Sequence, residues 1–155
     1  TYRDSAWRNQ MLTEIDHPST RFIYTTAPRA EAVEELLLAI ENIGEDQKYL
    51  LGLPSIPMVH YLTGKLPYLR NPWPDLYQDH RFEKELKDAR RRLSELPLVV
   101  LASCDMRDSY WPVVSSTAPK EVAGPSKMKA VYDFMKRHDY QKKWSGRCFT
   151  IYQTQ

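Results

Sequence analysis

The sequence predicts an α/β domain. The expected architecture is a three-layer sandwich with a mostly parallel, Rossmann-like or flavodoxin-like sheet of four to five strands and helices on both faces. Three observations carry this. The apolar runs Tyr49–Leu53 and Leu98–Ser103 have strand length and suit strands buried on both faces. The segments between them place apolar residues at helical spacing. Strand and helix alternate from Arg21 to Gly64, which favours a right-handed, doubly wound arrangement.

The elements follow in order. Residues 1–20 form a lead-in, extended at first and then a short amphipathic helix ending before Pro18. Arg21–Thr25 is β-branched and aromatic, a first core strand. Pro28 opens a helix whose apolar face is Val33, Leu36, Leu37 and Ile40, and Gly44 closes it. Tyr49–Leu53 is stopped by Pro54, Ser55 caps the next helix, and Gly64 ends it. Pro67, Pro72 and Pro74 make 65–78 an ordered loop, with a short edge strand near Leu66. Asp79 caps a helix with the stripe Phe82, Leu86, Ala89, Leu93 and Leu96. Leu98–Ser103 is the strongest strand signal and should be central. Residues 104–125 are a second long loop. Ser126 caps a helix to about His138, and Arg147–Tyr152 is the final strand.

The chain of 155 residues is read as one domain, 42% apolar and 12% aromatic, too rich in core-forming residues for a disordered chain. No apolar run approaches the roughly 20 residues a membrane span needs. The net charge of +2 is too weak to argue for a nucleic-acid partner. Thr1 opens the chain without an initiator Met or a signal-peptide pattern, so a piece of a longer protein is expected. Cys104 and Cys148 lack metal-ligand spacing; they read as two small buried hydrophobes, or as a disulfide if the compartment is oxidising.

Chemical motifs are scarce. There is no GxGxxG, P-loop, HExxH or GxSxG, so no catalytic residue, metal site or cofactor is expected. Asp105 and Asp108 follow the central strand, where loop capping explains them better than catalysis. Open α/β sheets bind ligands at the carboxyl ends of their strands. Those ends would carry Thr25, Thr26, Ser55, Ser103, Asp105 and Arg107 as ligand-binding residues, with helix N-termini favouring an anion. A second candidate is electrostatic. Between Ser126 and Arg147 lie seven basic and two acidic residues, and Lys136, Arg137, Lys142 and Lys143 are the expected membrane-facing patch.

Four stretches carry a family resemblance: Tyr2-Arg-Asp-Ser5, Ser55-Ile-Pro-Met58 with Tyr61-Leu-Thr-Gly64, Asn71-Pro-Trp-Pro74, and Trp144 with Cys148-Phe-Thr-Ile-Tyr152. They resemble the C-terminal soluble domain of bacterial multi-pass membrane proteins similar to dolichyl-phosphate-mannose-type glycosyltransferases. The resemblance implies an extracytoplasmic, periplasmic domain following the last membrane helix. Its partners would be the membrane portion of the same polypeptide and a lipid-linked sugar or anionic lipid. In that family the catalytic carboxylates lie on a loop between membrane helices, so none is carried over. The expected function is therefore a non-catalytic accessory domain that positions a donor, an acceptor or the membrane portion. The alternative is a stand-alone small-molecule-binding or enzymatic domain using the strand-end crevice.

Overall fold

The computed structural model describes residues 12–104 and 124–155. In chain order the strands are β1 (Thr13–Glu14), β2 (Tyr24–Thr25), β3 (Tyr49–Leu53), β4 (Leu66–Pro67), β5 (Leu98–Ala102), β6 (Gln141–Ser145) and β7 (Phe149–Gln153). The α-helices are α1 (Ala27–Gly44), α2 (Met58–Thr63), α3 (Asp79–Arg92) and α4 (Pro125–Arg137). Short 3-10 turns cover Pro18–Thr20 and Pro74–Leu76.

β3 and β5 pair in parallel, with Leu50 opposite Leu98 and Leu53 opposite Leu101. Successive side chains of a strand point to opposite faces. Leu50, Leu98, Val100 and Ala102 therefore meet Leu36 and Ile40 of α1, while Leu51, Leu53, Val99 and Leu101 meet α3 and α4 through Phe82, Leu86, Val131 and Phe134. Gly52 faces α1 in the same register. A Cβ there would lie 3.0 Å from the Ile56 side chain, so the missing side chain lets the β3–α2 turn fold back onto its own strand. Gly64 ends α2 in the left-handed region, at φ 66°, as the expected helix stop.

The expected mostly parallel sheet is not what forms. The strand order is β4-β3-β5-β7-β6; β4–β3–β5 is parallel, but β7 runs antiparallel to both β5 and β6. The reason is local. Only residues 146–148 separate β6 from β7, and so short a link can join only antiparallel strands. The lysine-rich β6 is also a strand that the sequence reading passed over.

The expected first core strand at 21–25 is likewise corrected. β2 pairs with β1 in a separate two-stranded antiparallel ribbon, and Phe22 is exposed with φ 68°. Residues 12–17 hold β1 rather than a lead-in helix. Ser55 does not cap α2; that helix starts at Met58 after Pro57. The expected edge strand near Leu66 is present as β4, and residues 65–78 are tied down by buried Tyr68 and Leu69.

Leu98 is fully buried between β3 and α1, so Leu98→Ala should cost about 2–5 kcal/mol in urea unfolding, while Leu76→Ala at an exposed position should stay within about 0.5 kcal/mol. Tyr68 is fully buried, and its hydroxyl finds no hydrogen-bond partner among the described residues. Burial pushes that phenol from its usual 10 up to about 12. The neutral form is therefore the one the fold favours. Its contribution is complete below pH 10 and is lost as pH rises from 10 towards about 12. Tyr68→Phe should be neutral or slightly stabilising at pH 7 and should soften the alkaline loss, as read by thermal melts across that range.

Candidate functional site

The carboxyl ends of β3 and β5 sit side by side. Their ladder closes at Leu53 opposite Leu101, so Ser55 and Ser103 each lie two residues beyond it. β7 starts at this same end, with Phe149 opposite Ala102. Ser103 donates its N–H to the Cys148 carbonyl at 2.8 Å, and Cys104 and Cys148 are joined by a disulfide with a Cα separation of 5.2 Å. The two cysteines are thus neither free nor merely packed.

Ser55 is held in the left-handed region, at φ 38°, and its N–H donates to Asp75 Oδ1 at 3.1 Å. Asp75 serves a second partner, because its carbonyl accepts from Lys127 Nζ at 2.9 Å. Lys127 is buried in the first turn of α4, so one loop residue links β3 to α4. Between α1, α2 and the start of β7 lies a cavity of about 200 Å³. It is lined mainly by Leu36, Leu37, Ile56, Val59 and Phe149, with Ser55 at its edge. That volume is below the roughly 300 Å³ of typical small-ligand pockets, so it fits the apolar end of a ligand rather than a whole one.

Of the expected ligand-binding residues, Ser55 and Ser103 come together at this crevice. Thr26 precedes α1, and its carbonyl accepts the N–H groups of Arg29 and Ala30 at 3.0 Å; its side chain makes no capping bond. Thr25 is paired with Thr13 in the β1–β2 ribbon and does not end a strand of the main sheet. Asp105 and Arg107, like Asp108, lie outside the described residues. Among the described residues no group of three His, Cys, Asp or Glu side chains is arranged to hold a metal.

The basic candidates are elsewhere. Lys142 pairs with Tyr152, which pairs with Val99 near the start of β5. Lys136 and Arg137 close α4 three residues before β6 begins. All four therefore sit at the amino ends of the parallel strands, opposite the crevice. Lys142 and Lys143 lie on the sheet's edge strand, where charge discourages pairing with another chain. Lys127 is removed from any surface patch by its burial.

The sequence reading missed Asp75 and Lys127 as structural links. Asp-Leu after a proline carries no mark of a long-range role, and a lysine at a helix start reads as solvated. Among the described residues, no helix is long and apolar enough to cross a membrane. No family model, curated protein or solved structure matches the chain.

The disulfide closes a sequence separation of 44 residues, so loop entropy assigns it about 4 kcal/mol. Guanidinium unfolding with and without reductant should differ by an amount of that order, and a Cys104→Ala/Cys148→Ala variant should match the reduced protein. Equal stability of the oxidised and reduced chains would contradict this.

Proposed function

We propose that the chain is a non-catalytic, extracytoplasmic accessory domain of a membrane glycosyltransferase, positioning a lipid-linked donor or an acceptor for the membrane portion. The observation that carries this reading is the Cys104–Cys148 disulfide at the mouth of the crevice. Structural disulfides persist in oxidising compartments, and this one locks the end of the sheet where an α/β domain meets its ligands. The cavity beside it is apolar, which suits a hydrophobic portion of a ligand. The described crevice holds Ser55, Ser103 and the single carboxylate of Asp75, with no facing pair of carboxylates of the kind that glycosyl chemistry uses. The family resemblance of the four sequence stretches points the same way.

The crevice also supports the second reading, a stand-alone small-molecule-binding or enzymatic domain that would seat the apolar end of its ligand in the same cavity. The two are separated by working with the parent polypeptide. In the accessory reading, the isolated chain gives no turnover with a lipid-phosphate sugar, while removing the domain lowers transfer by the parent. Val59→Trp, which fills the cavity, should lower it as well. Turnover by the isolated chain would overturn the accessory role, and unaltered transfer after its removal would favour the stand-alone module. Cytosolic residence would show as Cys104 and Cys148 reacting with maleimide in intact cells lysed under alkylating conditions, and it would count against both the location and the membrane role.

A further inference from the structure

We infer that the groove between the C-terminal halves of α3 and α4 is a binding site for a phosphate group, held by Arg90 and Arg137 with His138 beside them. The groove encloses about 280 Å³ and is walled by the cationic side chains Lys87, Arg90, Arg91 and Arg137. Its apolar floor includes Phe134, whose ring meets the His138 ring edge-on at 4.8 Å. It lies on the α3–α4 face of the sheet, away from the crevice, and does not depend on the glycosyltransferase reading.

The charges in the groove are unevenly compensated. Glu83 also lines it and its charge is felt by Arg137, but its carboxylate is in contact with Lys87, at 2.8 Å. Asp88 sits 3.6 Å from Arg91. Arg137 donates Nε to the backbone carbonyl of Asp133 at 3.1 Å, and the Asp133 carboxylate is taken by Lys129 at 2.7 Å. Among the described residues no carboxylate stands within ion-pair distance of Arg90 or Arg137. Burial holds the His138 imidazole below its usual range, Arg90 and Arg137 push it further in that direction, and Asp139 opposes them more weakly. The three groups therefore share one field. Cations in the last turn of each helix complement its dipole, which explains their bias to these ends. It does not explain why two helices aim them at one cavity, where like charges repel. An anion between them removes that repulsion. The planar forks of two arginines match phosphate oxygens, and Phe134 offers a surface for whatever the phosphate carries.

The probe is pyrophosphate, titrated into the 155-residue chain at low and at physiological salt, with binding read by calorimetry and by the His138 ring resonances. Saturable binding that moves those resonances is expected. Arg90→Gln/Arg137→Gln should weaken it roughly tenfold or more, Arg90→Lys/Arg137→Lys should fall between, and Lys142→Gln/Lys143→Gln should bind as the parent does. Vesicles of phosphatidylcholine with and without phosphatidylglycerol distinguish the source. Retention only on the anionic vesicles, lost in the double glutamine variant, identifies a lipid headgroup; pyrophosphate binding without vesicle retention identifies a soluble phosphate. The inference is overturned if neither probe binds, or if the double glutamine variant binds either one as well as the parent.

Discussion

The pairing of β3 with β5 is the constraint on which the rest depends. Tyr49-Leu-Leu-Gly-Leu and Leu98-Val-Val-Leu-Ala carry no charged or amide side chain, and Leu50 to Leu53 and all of β5 are buried. A strand pair of this kind has no face to offer to water, so both faces must be covered. α1 covers one, and α3 with α4 covers the other. The parallel direction requires a long crossover, and the segment from Pro54 to Pro97 supplies it through α2, the 65–78 loop and α3.

That crossover is long enough to wander, and buried polar groups hold it in place. Glu85 is nearly buried on α3 and accepts the Arg70 N–H at 3.1 Å, with the Arg70 and Arg92 guanidinium groups each at 3.7 Å. Asp75 is bound by Ser55 and Lys127. A buried charge without partners costs several kcal/mol, so these contacts act as register marks: a shifted loop leaves Glu85 or Lys127 uncompensated. Tyr68 has no such support at its hydroxyl among the described residues; its ring packs against Tyr49 and Phe134, while its backbone is tied to the Leu50 carbonyl and the Arg92 guanidinium.

Sequence periodicity located the parts of the fold whose burial is continuous. α1, α3, β3 and β5 stand where their apolar patterns put them, because each has a wide hydrophobic face that admits one partner surface, although α3 ends at Arg92 and leaves Leu93 and Leu96 of its expected stripe beyond the helix. The antiparallel half was not legible. β6 reads Gln-Lys-Lys-Trp-Ser, a solvated pattern, and only Trp144 packs inward. A β-bulge between Lys142 and Trp144 breaks the alternation that would have revealed the strand: Lys142 is opposite Tyr152, on the α3–α4 side, whereas Trp144 is opposite Ile151, on the α1 side. The segment 21–25 misled in the opposite sense, since only Tyr24–Thr25 of it forms a strand, in a small ribbon, and Phe22 and Tyr24 are exposed. At the crevice, Ser55 and Ser103 were placed by topology alone. The disulfide was left open because sequence spacing does not reveal distance in space.

The two candidate surfaces are separated by the length of the sheet. The crevice lies past Leu53 and Ala102, while Arg137 and Lys142 lie near the level of Leu98 and Val99. A five-residue strand spans about 17 Å, and the apolar cavity and cationic groove also lie on opposite faces. A single compact ligand cannot touch both. The covalent lock and the apolar cavity belong to one end, and Arg90 and Arg137 belong to the other. Their charges act over about a Debye length of 8 Å at physiological salt, which is too short to steer a ligand at the crevice. Under the two proposals made above, the domain would hold one partner by burial at its strand ends and orient itself against an anionic group at the opposite end. Weak attraction at the second surface is sufficient when the first is engaged, because the first contact raises the local concentration of the second partner.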